Sequence, residues 1–223
     1  VRRGLRCWLA VPPRAAPPPG RGPKFLLWPG LSGGAPPPLE RELVVEVWRA
    51  LIAASLRKQG VIDVAIGGNK QDFRLFDAAR RHFGARTRIE YEGEPQAALR
   101  KAAAPDEADK SREWVAVTPW PAAPGVGAWW PAMSESSYNQ LHLIAALPLL
   151  RDADEPPVAA VFAASPPEEA GVDETILLVF DPHHRLQRVL SEQGLKGTEM
   201  ARAEPRALVR IEGFLGPDDL RAA

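Results

Sequence analysis

The sequence predicts a mixed α+β and α/β protein, with a helix near its start, a parallel α/β layer in its middle and a βαββ unit towards its end. Three observations predict this order. Residues 39–59 contain no glycine or proline, and their apolar residues recur at helical spacing. Short β-branched runs then alternate with helical patterns up to residue 119, and a strand, a helix and two strands follow between residues 174 and 216. At 223 residues and 24.3 kDa, the chain is long enough for one ordinary domain or two small ones.

The composition is that of an ordinary globular protein, with 45% hydrophobic and 25% charged residues. Basic and acidic residues are equal in number, at 28 each, so the charge gives no reason to expect a nucleic acid or an anionic membrane as partner. The single cysteine, Cys7, excludes an intramolecular disulfide framework. No apolar run approaches the roughly 20 residues that span a bilayer. We therefore expect a cytoplasmic protein without a membrane or nucleic-acid partner.

Residues 1–38 are expected to form an irregular leader rich in proline and arginine. Ten of the 24 prolines lie there, and residues 1–39 carry six basic groups and no acidic one. Proline fixes φ and donates no hydrogen bond, so the stretch predicts neither a helix nor a central strand. Three origins stay open for it. The first is a secretory signal, although residues 1–10 have no unbroken apolar core. The second is a transit peptide, although such peptides are rich in serine and the leader has only Ser32. The third is a shifted reading frame or misplaced start in a GC-rich gene.

Residues 39–59 predict a helix, because strong helix formers fill the run and Gly60 stands where a glycine commonly ends a helix. Spacings of four, four, three and four residues place five side chains on one face: Val44, Trp48, Ile52, Ser55 and Gln59. This face is apolar at its first three positions and polar at its last two. Ser55 and Gln59 are therefore expected one helical turn apart.

The following segments predict a parallel α/β layer. Strands are predicted at residues 61–66, 87–91 and 113–119, and helices at residues 71–84 and 94–104. The first helix is indicated by Phe73, Phe76, Ala79 and Phe83 at helical spacing, and the second by Pro95 in its first turn.

Beyond a connection rich in tryptophan and proline, the chain predicts strands again. They are placed at residues 140–150, 157–164 and 174–181, followed by a helix at 183–194 and a strand pair within 201–216. Leu186, Val189 and Leu190 are expected to form the apolar stripe of that helix, and Gly194 to end it. The last four elements are most of a ferredoxin-like βαββ unit.

The spacing of the candidate catalytic and metal-binding residues does not by itself indicate an enzyme. The four histidines show no pair at the spacing of a helical zinc site, and no nucleophile elbow, P-loop or dinucleotide fingerprint occurs. The pair Gly67-Gly68 after a predicted strand is compatible with an anion site, but also with a simple turn.

Several segments, in order, resemble a known enzyme fusion. VEVWRALIAASLRKQG resembles the third helix of the all-α chorismate mutases, which has the pattern R-x-I-I-x-x-S-x-x-x-Q. DAARRHFG, EPQAALRKAA and WVAVTPWPAA resemble successive segments of the prephenate dehydratase found in bifunctional mutase–dehydratase proteins. FAASPPEEAGVDETILLVF and HHRLQRVLSEQGL resemble the passage into the ACT domain and its first helix. The likeness covers about residues 36–216.

The resemblance implies a domain order. Residues 39–60 would be a remnant of the mutase domain, residues 61–133 a degenerate dehydratase-like α/β domain, and residues 134–223 an ACT-like domain. It implies that Gln59 is catalytic, acting on the ether oxygen of chorismate, and that Ser55 binds a substrate carboxylate or hydroxyl. It also implies a homodimer that forms prephenate for phenylalanine and tyrosine biosynthesis, without cofactor or metal.

The departures from the family pattern limit what is carried over. The dehydratase motif G-P-x-G-T-F-S is absent, Glu-Asn-Ser is replaced by Trp120-Pro121-Ala122-Ala123, and Thr-Arg-Phe is replaced around Pro157-Val158-Ala159. Dehydratase activity is therefore predicted to be absent. The ACT motif E-S-R-P is reduced to Ala203-Glu204-Pro205-Arg206.

The first two mutase helices should precede residue 39, and the leader cannot form them. We therefore expect negligible mutase turnover from this chain alone. Two alternatives stay open: a non-catalytic ACT-like protein that senses an amino acid or binds a partner, and a product without function.

Overall fold

The structure, a computed structural model, describes residues 5–11, 43, 47, 50–51, 61–104, 112–123, 125, 127–149, 155–167 and 173–215. Their strands are β1 (Leu5–Val11), β2 (Val61–Ile66), β3 (Ile89–Tyr91), β4 (Arg112–Pro119), β5 (His142–Leu147), β6 (Ala159–Ala163), β7 (Glu174–Phe180), β8 (Gly197–Ala203) and β9 (Arg206–Glu212). Their α-helices are α1 (Phe73–Phe83), α2 (Pro95–Ala103) and α3 (Leu186–Glu192), and two short 3-10 helices span Trp130–Ser134 and Ser136–Tyr138. The predicted mixed α+β class is confirmed.

A five-stranded mixed sheet has the order β3-β2-β4-β6-β5. β2 pairs in parallel with β3 and β4, as the alternation of strands and helices predicts. β6 is antiparallel to both β4 and β5. α1 and α2 cover opposite faces of the sheet: Val64 and Ile66 share a buried cluster with Leu75 of α1, whereas Ala65 shares another with Leu99 of α2. The apolar run of β2 is therefore buried on both sides.

A four-stranded antiparallel sheet has the order β1-β7-β9-β8. The predicted βαββ sequence of elements is present as β7-α3-β8-β9, with β9 lying between β7 and β8. Leu186 and Leu190 of α3 pack on one face of this sheet. Ile176 and Leu208, on the other face, belong to the same buried cluster as Phe162 of the five-stranded sheet. The two sheets therefore share one core.

Strand pairing in two of the predicted segments was not expected from the sequence. Residues 5–11, expected within an irregular leader, form β1 at the outer edge of the four-stranded sheet, antiparallel to β7. These seven residues contain no proline, so each of them can take part in the backbone hydrogen bonds of a strand. β5 and β6, which the predicted division at residues 133/134 assigns to the ACT-like segment, pair with each other, and β6 pairs with β4 in the five-stranded sheet.

The apolar stripes of two helices are narrower than predicted. Phe73 of α1 is 73% exposed, and Leu75 takes its place in the core beside Ala79 and Phe83. Val189 of α3 is 47% exposed, although Leu186 and Leu190 are buried as expected. α1 begins at Phe73 and α3 has only seven residues, and each helix buries one line of side chains spaced four residues apart.

Of the predicted helix at residues 39–59, the structure describes Leu43, Val47, Ala50 and Leu51, all helical and all exposed. Ser55 and Gln59 lie outside the described residues. Within the described part of the chain, no helix has the length and apolar character needed to cross a membrane.

Candidate functional site

The carboxyl edge of the parallel strands is the place where an α/β sheet commonly binds a ligand. β2 leads into α1 on one face and its neighbour β3 leads into α2 on the other, so the connections diverge between these two strands. Because β6 runs antiparallel to β4, its first residues lie at the same edge. This edge therefore collects residues 67–72, 92–94, 120–123 and 157–158.

Gly67 and Gly68 allow close packing at this edge. A Cβ at Gly67 would lie 2.5 Å from the Cα of Pro95 and 2.8 Å from the carbonyl oxygen of Glu94, both backbone atoms of the turn into α2. A Cβ at Gly68 would lie 2.6 Å from Cδ1 of Leu75. The glycine at position 67 lets the β3–α2 turn pack directly against the end of β2. This packing explains the glycine, and an anion-binding role is not needed to explain it.

The polar groups after Gly68 begin the first helix. Asn69 Oδ1 accepts a hydrogen bond of 2.9 Å from the backbone N–H of Gln71. Asp72 Oδ1 accepts two hydrogen bonds from Arg74, one of 3.1 Å from its backbone N–H and one of 2.9 Å from its Nε. The hydrogen bond from the Arg74 side chain lowers the pKa of Asp72. An ionised Asp72 therefore caps α1, as expected of an aspartate at a helix N-terminus.

The two segments that stand where the resemblance places the dehydratase motifs Glu-Asn-Ser and Thr-Arg-Phe lie side by side at this edge. The backbone N–H of Trp120 donates a hydrogen bond of 2.9 Å to the carbonyl oxygen of Val158, and Pro119 lies opposite Ala159 in the β4–β6 pair. Trp120 and Pro121 are buried, and Ala159 is fully buried. These two segments supply no carboxylate, guanidinium or hydroxyl where they meet. The edge is apolar at the place where the resemblance expects proton-transfer groups.

Thr118 is the last polar side chain of β4 before this apolar contact. It is fully buried, and its Oγ1 has no hydrogen-bond partner in the described part of the chain. The indole N–H of Trp129, which belongs to the core on the same side of the sheet, is likewise unpaired there. Buried polar atoms of this kind cost stability unless they are hydrogen-bonded.

The amino edge of the same sheet carries a charged cluster. Asp63 of β2 is buried, and its Oδ2 accepts a hydrogen bond of 2.8 Å from Nη1 of Arg112. Nη1 of Arg88 lies 3.9 Å from the same oxygen. Asp63 is four residues beyond the predicted catalytic Gln59 along the chain. The sequence signal for this cluster was the acidic residue inside the apolar run VIDVAI, which predicts a paired, buried charge.

The cluster runs along β3 to Glu92, which lies just beyond the carboxyl end of that strand, and continues onto α2 through Lys101. Its ammonium contacts Glu90, lies 2.5 Å from Oε1 of Glu92 and lies 4.2 Å from the ring centroid of Trp114. The hydrogen bond from Lys101 lowers the pKa of Glu90. Arg88 also pairs with Glu90 and lies 5.4 Å from the ring centroid of Trp114.

The charges of this amino-edge cluster balance. Three acids, Asp63, Glu90 and Glu92, stand against three bases, Arg88, Lys101 and Arg112, and each base contacts at least one acid. A cluster of this kind holds strands and helix together and has no net positive charge to attract a dianion.

A second charged cluster joins β7 to α3. Asp181 accepts hydrogen bonds of 2.7 Å from the backbone N–H of Arg185 and 3.1 Å from Nη2 of Arg202. Burial opposes ionisation of Asp181, but these hydrogen bonds outweigh it and hold its pKa below the usual value. The carboxylate thereby caps the start of α3 and anchors β8.

The reduced E-S-R-P segment adjoins this cap. Residues 203–206 form the turn between β8 and β9. The backbone N–H of Asp181 donates a hydrogen bond of 2.8 Å to the carbonyl oxygen of Pro205 in this turn. Oε1 of Glu204 lies 3.5 Å from Nε2 of His184 and 3.6 Å from Nη1 of Arg202. The β7–α3 loop and the β8–β9 turn therefore form one polar surface.

The histidines form no metal centre in the part of the chain that the structure describes, where no group of three or more potential ligands is found. A comparison of the chain with protein families, curated proteins and solved structures finds no match. The functional assignment therefore rests on the chain's own residues and their geometry.

Proposed function

We propose that the chain is a chorismate mutase family protein whose α+β part derives from a prephenate dehydratase and an ACT domain. The main support is the carboxyl edge of the five-stranded sheet. Trp120 and Val158, from the two segments that stand where the resemblance places dehydratase motifs, are joined there by a hydrogen bond, and a βαββ unit follows as the resemblance implies. The proposal includes a cytoplasmic homodimer acting in phenylalanine and tyrosine biosynthesis.

The proposed chemistry is the Claisen rearrangement of chorismate to prephenate, which needs no cofactor and forms no covalent intermediate. A protein accelerates it by holding the reactive diaxial conformer and by stabilising the ether oxygen as negative charge develops. Gln59 would donate its amide N–H to that oxygen. Ser55, one helical turn earlier, would bind a substrate carboxylate or hydroxyl.

The charge of the substrate argues for low turnover. Chorismate carries two carboxylates, and their binding calls for arginine or lysine partners. Arg88 and Arg112, which follow Gln59 in the chain, are engaged with the buried Asp63. We therefore expect negligible prephenate formation by this chain. For the same reason we expect weak binding of chorismate, since Gln59 and Ser55 contribute hydrogen bonds but no charge.

The test uses the purified full chain, with chorismate consumption for turnover and equilibrium dialysis for binding. Gln59→Ala should weaken chorismate binding about five-fold, the value of one neutral hydrogen bond. Gln71→Ala is the matched control, because Gln71 is an exposed glutamine in the loop before α1. Equal affinity of the wild type and Gln59→Ala would refute the role of Gln59, and rapid prephenate formation would refute the expectation of inactivity.

The absence of dehydratase activity is tested separately by supplying prephenate and measuring phenylpyruvate. We expect no release above the spontaneous rate, because Trp120, Pro121 and Ala159 offer no group that transfers a proton. A rate well above that background would contradict this part of the proposal.

A second candidate function is supported by the polar surface around Asp181 and Glu204. In this alternative, the ACT-like unit is non-catalytic and binds an amino acid. A ligand that binds only the native state raises the free energy of unfolding. L-phenylalanine should then raise the melting temperature, D-phenylalanine should do so less, and Glu204→Gln should reduce the effect. No shift with either enantiomer would exclude phenylalanine sensing.

A further inference from the structure

Two buried polar atoms on one side of the five-stranded sheet, Thr118 Oγ1 and Trp129 Nε1, have no hydrogen-bond partner in the described part of the chain. Thr118 is 0% exposed and Trp129 is 5% exposed, so neither side chain is open to bulk water. Thr175 is buried to the same extent, but its hydroxyl donates a hydrogen bond of 2.7 Å to the carbonyl oxygen of Gly213. Because buried polar groups are normally paired, the two unpaired atoms point to a bound group that pairs them.

Strand register and one ring contact bring these two side chains to the same part of the core. Phe162 of β6 lies opposite Ala116 of β4, and Thr118 follows Ala116 by two residues on the same face. Diagonal neighbours of this kind lie about 7–8 Å apart. The indole of Trp129 packs edge to face on Phe162, with 6.0 Å between the ring centroids. The threonine hydroxyl and the indole therefore both lie next to Phe162.

The surroundings of the pair are small residues on the sheet and aromatic residues above it. Thr118 lies opposite Ala160 and beside Gly67, whose backbone N–H donates a hydrogen bond of 2.9 Å to the carbonyl oxygen of Val117. The other aromatic residues of the same buried cluster are Trp120, Trp130 and Tyr138. Four residues of the connection that leads from β4 to Trp129 are exposed: Ala122, Gly125, Gly127 and Ala128. We expect a ligand to enter past these small residues and to present a flat apolar body to the aromatic ones.

The hydrogen-bonding capacity of the pair defines the polar group of the ligand. An indole N–H only donates, whereas a threonine hydroxyl both donates and accepts. A primary amide fits both, because its oxygen accepts from Trp129 Nε1 and its N–H donates to Thr118 Oγ1. A carboxylate does not fit, because an unpaired buried charge is far more costly than a neutral amide. The buried charged side chains of the described chain include no cation: they are Asp63, Asp173 and Asp181.

We propose that Thr118 and Trp129 form a binding site for a small uncharged aromatic amide. The amide pairs the two buried polar atoms, and the ring of the ligand packs among the tryptophans and Phe162. A ligand of about ten non-hydrogen atoms is expected to bind with a Kd of about 1 mM. The site is separate from Ser55 and Gln59, and it does not depend on whether the chain acts on chorismate.

The first test titrates the full chain with benzamide and follows the indole N–H signals by nitrogen–proton correlation NMR. The signal of Trp129 is identified by its loss in Trp129→Phe, and circular dichroism confirms that this variant is folded. We expect the Trp129 signal to move downfield, because its N–H gains an acceptor, and to saturate with a Kd of about 1 mM. An unmoved Trp129 signal at benzamide concentrations well above this value would overturn the proposal.

A second test separates the polar pair from apolar packing by comparing ligands of similar shape. Thr118→Val removes the hydroxyl and keeps the shape of the side chain, so it should weaken benzamide binding about five-fold. The same variant should leave toluene binding unchanged, because toluene forms no hydrogen bond. Thr198→Val is the matched control, since Thr198 is an exposed threonine of β8, and it should change neither affinity.

Benzoate tests the requirement for an uncharged ligand. It has the shape of benzamide and carries a negative charge, so it should bind at least about ten-fold more weakly than benzamide. Equal benzamide affinity in the wild type and Thr118→Val would refute the pairing with Thr118. Benzoate binding as tight as that of benzamide would refute the assignment of an uncharged ligand.

Discussion

The buried carboxylate of Asp63 predicts an asymmetric response to the loss of either member of its ion pair. Its side chain is 3% exposed, whereas those of Arg112 and Arg88 are 35% and 57% exposed. Replacing Arg112 by Met leaves a buried charge whose remaining cation, among the residues that the structure describes, is Arg88 at 3.9 Å. Replacing Asp63 by Asn leaves two guanidinium groups that water can reach. Arg112→Met should therefore destabilise the protein more than Asp63→Asn, although both remove the same ion pair.

The magnitudes follow from the exposures. Breaking a fully buried ion pair by removing one partner costs about 3–5 kcal/mol. Arg112 is partly solvated and Arg88 stays nearby, so we expect about 2–3 kcal/mol for Arg112→Met. Asp63→Asn keeps the shape of the side chain and one acceptor oxygen, so it should cost about 1 kcal/mol, the value of one weakened hydrogen bond. In the Asp63→Asn background, Arg112→Met should cost less than about 1 kcal/mol.

Urea denaturation measures the four free energies of this double-mutant cycle. The control is the Arg188–Glu192 pair on α3, whose side chains are 78% and 56% exposed. Arg188→Met should change the free energy of unfolding by less than about 0.5 kcal/mol. Additive effects in the Asp63–Arg112 cycle, or a larger cost for Asp63→Asn than for Arg112→Met, would refute the reasoning from burial.

Three further predictions concern single residues. Gly67→Ala should lower the free energy of unfolding by about 2 kcal/mol or more, measured by denaturant titration, because the new Cβ would lie 2.5 Å from the backbone of Pro95. Gly127→Ala is the control and should be nearly neutral, because a Cβ there would have no neighbour within 4 Å. Thr118→Val should be neutral or stabilising by about 1 kcal/mol, since the buried hydroxyl has no partner in the described part of the chain, and a loss above that size would reveal one. The pKa of Asp181 is lowered in the folded state, so the ionised carboxylate stabilises the protein above pH 3.8, the ordinary pKa, and this stabilisation is lost as pH falls through the folded pKa. Asp181→Asn should therefore flatten the acid limb of a curve of unfolding free energy against pH. An unchanged slope would contradict this prediction.

Local pattern predicted most elements, and long-range pairing accounts for most of the differences. The run VIDVAI and the helical spacing from Phe76 to Phe83 predicted β2 and α1, because both depend on the burial of nearby side chains. The membership of β5 and β6 in the five-stranded sheet depends on backbone hydrogen bonds between distant segments, which no local pattern encodes. β1 was missed because the prolines around residues 12–38 dominated the composition, while residues 5–11 carry a strand sequence of their own.

The candidate sites also combine residues that the local sequence shows with contacts that depend on long-range strand pairing. Asp63 was visible in the sequence as an acid in an apolar strand, but its partner Arg112 is 49 residues away and only the parallel pairing of β2 with β4 brings them together. The contact between Trp120 and Val158 likewise follows from the pairing of β4 with β6. The sequence shows the residue types, whereas the partner of each residue depends on strand order.

The two edges of the five-stranded sheet place a common limit on any chemistry with an anionic substrate. The carboxyl edge presents buried, apolar groups at Trp120 and Ala159, and the amino-edge cluster balances three acids with three bases. A carboxylate brought to the contact between Trp120 and Ala159, or into the amino-edge cluster, would lose hydration without gaining an uncompensated cation from these groups, and this costs several kcal/mol for each charge. Chorismate binding by this chain would therefore depend on Ser55 and Gln59, in the helix predicted at residues 39–59, and on cations outside these two groups of residues. It follows that removing a base from the amino-edge cluster, as in Arg112→Met, should lower stability but leave chorismate affinity unchanged, whereas Gln59→Ala should do the reverse. A loss of chorismate affinity in Arg112→Met, at a urea concentration where the variant is fully folded, would instead place the substrate carboxylates at this edge.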